Sequence, residues 1–329
     1  MPESNNDTSC PQAFCLYGGN MIRKLAELIN SYFIGKEDVV ENVLICMLAG
    51  GHVLIEDVPG VGKTTLAKTL ANAVDLKFGR IQFTPDTLPS DVTGVSVLNM
   101  KTGEFELREG AIMNQMLLAD EINRTSPKTQ AALLEAMAEG RVTVDGKVMQ
   151  LPQPFMVIAT QNPSQFVGTY PLPEAQLDRF MMKLSIGYPD AHSEMVLTRD
   201  AIDGKQPEAI DSIMNAEDIL RLRQEVRQVR IADSVMKYAN DIVNLTRQES
   251  RFVMGVSPRA MIMLVQAAQA KAYMQGRDYV IPDDIKALAV NTLHHRVALT
   301  YDAGIAHESV DAVIYSDVLK AKVPMVKDA

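Results

Sequence analysis

Between Val53 and Thr65 the chain reads VLIEDVPGVGKTT, an apolar run, a Pro/Gly turn and then Lys63 and Thr64. Residues of these types at this spacing grip phosphate. Gly60 and Gly62 let backbone N–H groups turn inward around anionic oxygens, and the helix behind them aims its positive end at the same point. Pro59, Gly60, Val61, Gly62, Lys63, Thr64 and Thr65 are therefore expected to hold a nucleotide, with Lys63 on the β and γ phosphates and Thr64 on Mg²⁺. The pattern G-x-x-x-x-G-K-[ST] is incomplete, because its first glycine falls on Asp57. Downstream, MLLADEI (Met116 to Ile122) is an apolar strand ending in two carboxylates. In that arrangement Asp120 holds Mg²⁺ and Glu121 prepares a water for attack, which makes ATP and Mg²⁺ the expected cofactors.

Three further residues are less determinate. Asn162 closes the strand FMVIAT with an Asn-Pro turn; in a parallel sheet that strand end opens into the crevice the loop faces, where an amide orients the attacking water or the γ phosphate. Arg179 stands beside Asp178 in LDRF, as surface ion pairs commonly do. Arg259 follows Ser257 and Pro258 in the first turn of a helix, where a cation opposes the helix dipole. It reads equally as a surface residue or as one held by an anion such as a γ phosphate.

The elements that must position these groups alternate. VLIE, IQF (Ile81 to Phe83), MLLADEI, FMVIAT and MMKLSI (Met181 to Ile186) read as strands separated by helical segments, which implies a parallel sheet covered on both faces. Two hairpins interrupt it, one around Lys101 to Gly103 and one turning at Asp145-Gly146. Ser126-Pro127 and Gly140 bracket a helix with an apolar face of Ala131, Leu134, Met137 and Ala138. After Tyr188-Pro189 only helical spacing remains, as in Ile219, Leu222, Val226 and Val229, then Val235, Ala239, Ile242 and Val243. The division expected is a loose tail over residues 1–20, an α/β nucleotide-binding core over 21–190 and an all-helical domain over 191–329.

A length of 329 residues, 47% of them hydrophobic, is enough for two packed domains. The net charge of -9 argues against a constitutive nucleic-acid binder. No apolar run is long enough to span a bilayer, and the polar start lacks a signal-peptide layout, so a cytoplasmic location is expected. Cys10, Cys15 and Cys46 form no disulfide framework and read as free thiols.

Five stretches occur in one order: EDVPGVGKT, FTPDTLPSDVTG, LLADEINR, GTYPLPEAQLDRF and GVSPRA. In this combination the chain resembles the MoxR-type AAA+ ATPases, relatives of the magnesium chelatase ATPase subunit, from about Met21 to Lys322. The resemblance implies an αβα AAA+ core with a helical lid and hairpin insertions at Leu88 to Gly110 and Arg141 to Leu151. It makes Asn162 sensor 1, Arg179 an arginine finger reaching a neighbour's nucleotide and Arg259 sensor 2, and it sets Ile34 and Gly35 beside the adenine. It also implies Mg²⁺-dependent ATP hydrolysis in a homo-oligomeric ring, usually a hexamer. Such a ring acts as a chaperone-like remodeller that matures partner complexes or inserts their cofactors, often with a separate von Willebrand factor A domain protein. Two other functions compete with it: a nucleotide-gated binding scaffold with little turnover, and a DNA-associated motor, which the acidic balance disfavours.

Overall fold

The computed structural model describes residues 11–163, 169–203 and 210–323, which fall into two compact units. One is α/β and comprises Leu28–Val43 and Gly50–Leu220. Its strands are β1 (Val53–Glu56), β2 (Phe78–Gln82), β3 (Gly94–Leu98), β4 (Phe105–Glu109), β5 (Met116–Asp120), β6 (Arg141–Val144), β7 (Lys147–Gln150), β8 (Met156–Gln161) and β9 (Met182–Leu184). Five of them make a parallel sheet in the order β2-β5-β8-β1-β9. The sequence dictates the middle of that order: β1, β5 and β8 are near-continuous runs of buried apolar residues, as strands covered on both faces must be. Leu54, Leu117, Ala119, Val157 and Ala159 share one core with Phe83, Leu133, Leu134 and Phe180.

Register is what matters for chemistry. Gln82 pairs with Asp120 and Glu56 with Gln161, so the strands end level and their carboxyl ends form one edge. Ligands of open α/β sheets bind at such an edge. The two remaining strand pairs are antiparallel hairpins, β3-β4 and β6-β7. Asp145 and Gly146 take the second through a turn with φ of 48° and 78°, the left-handed pair that favours this dipeptide.

The helix Pro127–Glu139 starts at Ser126, whose side chain accepts from the Thr129 N–H, and ends at Gly140 with φ 64°. Its buried face differs from the apolar one expected. Gln130, Leu133, Leu134, Ala136 and Met137 are buried, whereas Ala131 and Ala138 are exposed. A count of apolar residues misplaces the face because a fully buried glutamine, whose Nε2 donates to backbone carbonyls, occupies its middle.

The other unit is helical and comprises the N-terminal residues to Glu27, Leu44–Ala49 and Arg221 onward. Asp233–Gln248, Pro258–Met274, Pro282–Leu293 and Val310–Ser316 are its main helices, and Val235, Ala239, Ile242 and Val243 are buried as their spacing predicts. Two boundaries differ from expectation. Helix starts at Pro11 rather than near Met21, and the α/β unit runs on to Leu220, taking in the helix Ala191–Ile202. Pro189 thus marks a strand-to-helix turn within that unit rather than its end. Gly18 and Gly19 allow close packing within the helical unit: a Cβ added to Gly18 would lie 1.6 Å from the Tyr273 hydroxyl. Residues 1–10, Cys10 among them, and the Cys15 side chain lie outside the described residues; Cys46 is buried. Among the described residues no helix is long and apolar enough to cross a membrane.

Gly18→Ala should cost about 1–3 kcal/mol through this overpacking, read as a lower urea midpoint. An unchanged midpoint would mean the N-terminal helix does not stack against Tyr273.

Candidate functional site

At the carboxyl edge of the sheet, Pro59, Gly60, Gly62, Lys63, Thr64, Arg80, Gln82, Asp120, Glu121 and Asn162 line a cleft of about 430 Å³. Eight of these ten are residues the sequence singles out; Arg80 and Gln82, on β2, are not. Gly60 and Gly62 have φ of 89° and 90°, the left-handed backbone that turns the loop inward. An added Cβ on Gly62 would also meet the Phe33 ring at 3.0 Å, which sets the Phe33-Ile34-Gly35 turn beside the loop. Val61 is buried, and Thr65 is exposed in the first turn of the helix Lys63–Ala73.

Lys63 is nine-tenths buried and donates to the Asp57 carbonyl at 2.7 Å. Burial lowers its ammonium pKa below the ordinary lysine value, while Asp57, Asp120, Glu121 and Glu56 act in the opposite sense. The Asp57 side chain explains why no glycine is needed there. One carboxylate oxygen accepts from the Val58 N–H, and the other from Ile186 N, Gly187 N and the Ser185 hydroxyl. The loop is thereby tied to the chain leaving β9. Burial pushes the Asp57 carboxyl up, but these hydrogen bonds outweigh it and hold it below the usual carboxylate range.

The acid pair is held from several sides. Asp120 Oδ1 accepts from the Thr160 hydroxyl at 2.6 Å, and Oδ2 accepts from Arg80 at 2.7 Å. Glu121 Oε2 takes Gln82 and Arg124, each at 2.9 Å, and Oε1 takes the Asn162 amide at 3.0 Å. Burial raises the Glu121 carboxyl, yet the bonds from Arg124 and Asn162 and the Arg124 charge prevail and lower it. The residue itself sits at φ 56°, ψ 49°, a left-handed conformation that a non-glycine residue adopts at a cost of order 1–3 kcal/mol. Its N–H reaches Thr160 Oγ1 at 2.8 Å, so the same threonine fixes both the backbone of Glu121 and the carboxylate of Asp120.

The oxygen set fits Mg²⁺. One carboxylate, Asp120, and one hydroxyl, Thr64, face a cleft that a nucleotide's phosphates would share, and Mg²⁺ binds through few protein oxygens plus phosphate. Of the remaining expected residues, Arg179 is half-buried and outside the cleft wall: Nη1 donates to the Leu134 carbonyl at 2.6 Å, and Nε has no acceptor among the described residues. Arg259 is exposed in the first turn of Pro258–Met274, in the helical unit. Arg80 and Gln82 escape sequence reading because the apolar run IQF marks only the end of β2, and nothing in a lone strand says which side chains reach a neighbour's carboxylates.

A phosphate loop before a parallel sheet in which β5 leads into Asp120-Glu121, with a helical unit following, defines a P-loop ATPase of the AAA class. The comparisons agree. The family described as ATPase family associated with various cellular activities (AAA) matches residues 52–182, and the AAA lid domain matches residues 244–316. The chain is 51% identical to YeaC of Bacillus subtilis over 94% of its own length and 97% of that protein's. It is 38% identical to Chaperone MoxR1 of Mycobacterium tuberculosis, covering 89% and 79%. A crystal structure from Cytophaga hutchinsonii superposes with a TM-score of 0.88 at 39% identity, over 94% of this chain and 97% of that one. The chain belongs to the MoxR family of AAA ATPases, and its activity is ATP hydrolysis.

Asp57→Asn should lose about 1.5–3 kcal/mol of stability at neutral pH, since bonds to a charged acceptor weaken. The carboxylate's folded pKa is depressed, so its contribution is present above the unfolded value of about 3.9 and disappears as pH falls through the lower folded one. Urea titrations of both proteins should therefore converge at low pH; a constant gap would refute the role. Separately, Glu121→Gln should bind ATP and lose turnover by roughly 10²–10⁴-fold. Near-normal turnover in that variant would remove Glu121 from the chemistry.

Proposed function

We propose that this chain is one subunit of a ring, probed best as a hexamer, in which Mg²⁺-dependent ATP hydrolysis drives chaperone-like remodelling of a partner protein complex. Lys63 and the loop amides bind the phosphates, and Asp120 and Thr64 would hold the metal, which would supply neutralisation of phosphate charge. Glu121 polarises a water whose oxygen attacks the γ phosphorus as the bond to the bridging oxygen of ADP breaks. Asn162 orients that water or the γ phosphate. Ile34 and Gly35 border the base, and Arg259 is the group we assign to sensing nucleotide state.

One observation carries the assembled form. Arg80, which lines the cleft, is engaged by Asp120, and Arg124, in the turn behind Glu121, is engaged by that glutamate. Lys63 is then left as the cleft's own cation for the charge that develops on the transferred phosphoryl group, and an arginine supplied by a neighbour would add roughly 10³–10⁵ in turnover. Arg179, with one nitrogen lacking an acceptor among the described residues, is the group we assign to act on a neighbouring subunit's nucleotide. The relative named Chaperone MoxR1 supports the remodelling role. A separate von Willebrand factor A domain protein is the partner the family resemblance favours.

Specific activity should rise with protein concentration. Arg179→Ala and Glu121→Gln should each be inactive alone and recover activity when mixed, because one kind of mixed seam regains both groups. A flat concentration dependence with no recovery on mixing would overturn action in trans.

A further inference from the structure

An amide hub lies behind the cleft. Asn123 is 3% exposed, in the turn Ile122–Arg124 that follows Glu121. Its side chain grips the backbone of Asn162 from both sides: Nδ2 donates to the Asn162 carbonyl at 2.9 Å, and Oδ1 accepts from the Asn162 N–H at 3.4 Å. Its own carbonyl accepts from the Tyr170 N–H at 2.6 Å. Gln130, fully buried, closes the arrangement: Nε2 lies 3.2 Å from the Ile122 carbonyl, 3.4 Å from that of Thr125 and 3.1 Å from that of Tyr170. These bonds join three elements: the turn after Glu121, the chain at Asn162 and Tyr170, and the helix Pro127–Glu139, whose Leu134 carbonyl also holds Arg179.

A buried polar side chain costs stability for each group left unbonded, and an apolar residue would fill the space more simply; Asn123 engages both its amide groups, and Gln130 bonds through Nε2 alone. The bonds made by Asn123 end on the backbone of the residue whose amide holds Glu121 Oε1 at 3.0 Å. From this geometry we infer that Asn123 and Gln130 are positioning residues for hydrolysis. They fix the Asn162 backbone against the Glu121 turn, so that carboxylate and amide address the same water. This rests on the reading of Glu121 and Asn162 as the water-handling pair. The hub touches neither phosphate loop nor metal-holding oxygens. Its loss must therefore slow the chemical step and leave nucleotide binding as it is.

Asn123→Ala should lower kcat by about 10- to 100-fold, the penalty of a displaced reacting group, with the affinity for ATP unchanged. Asn123→Asp, which keeps the acceptor for the Asn162 N–H but loses the donor, should fall between Asn123→Ala and the parent. Gln130→Met, of similar volume, should reproduce the kcat loss if Asn123→Ala fails to fold. The decisive comparison is Asn123→Ala combined with Asn162→Ala: a residue acting through Asn162 adds nothing once that amide is gone, so the double variant should be no slower than Asn162→Ala alone. Multiplying effects, or a parallel loss of nucleotide affinity, would overturn the inference. If Asn162→Ala itself turns over normally, the reading of the water-handling pair fails. If Asn162→Ala is slow while Asn123→Ala and Gln130→Met are not, this inference alone fails.

Discussion

Two carboxylates adjacent in sequence at the end of one buried strand repel each other unless every oxygen is matched by a donor. The rest of the site follows from meeting that demand. Asp120 is matched by Thr160 from β8 and Arg80 from β2, and Glu121 by Gln82 from β2, Arg124 from its own turn and Asn162 from beyond β8. The donors come from the strands on either side of β5, which is why the sheet order and level register matter more than any single side chain. Opposite them, burial lowers the pKa of the nine-tenths-buried Lys63 ammonium, and four acids act against that shift without cancelling it. Removing one member leaves its partners unpaired in a partly dry cleft, where that penalty exceeds the value of the lost bond.

The left-handed turn at Glu121 is the geometric counterpart of this charge arrangement. A residue in ordinary strand conformation would carry its side chain along the alternation of β5, toward one face of the sheet. At φ 56° the chain instead bends over the strand ends, and the Glu121 carboxylate meets Gln82 and Asn162 together. Thr160 holds that bend by accepting the Glu121 N–H, so the strain is compensated by a bond from the neighbouring strand. Such strain is tolerated where the surroundings over-determine a conformation, as they do here on three sides.

Much of this was legible in the chain because its signals are local. The Gly-rich turn with Lys63 and Thr64, the apolar runs of β1, β5 and β8, and the Asp-Gly hairpin turn each rest on the physics of a few consecutive residues. What stayed hidden is what only strand pairing creates. Arg80 and Gln82 are polar residues on an edge strand until β2 is laid beside β5. Asn123 looks like an ordinary turn residue until Asn162 is brought against it. Gln130 interrupts an apolar face, and the periodicity argument moved that face by counting alanines in its place. The N-terminal helix is hidden in a polar, aperiodic stretch, and the approach of Gly18 and Gly19 to Tyr273 that packs it exists only in the folded chain.

Arg179 joins the local and the assembled views. A guanidinium has five N–H donors, and leaving one buried without an acceptor costs about 1–3 kcal/mol. Within one chain Arg179 gives Nη1 to Leu134 while Nε has no acceptor among the described residues. That is an unfinished arrangement, unlike the bidentate pairing of Arg277 with Asp284, where a structural arginine has a carboxylate for its fork. A phosphate from an adjoining subunit would complete it, since planar guanidinium and phosphate match in geometry and charge. The Leu134 carbonyl that holds Arg179 lies one turn along the same helix from Gln130, so the arginine we assign to a neighbour's nucleotide and the hub we infer to set the chain's own water-handling pair share one helix. In a ring, that helix would let the state of one cleft bear on the chemistry of the next.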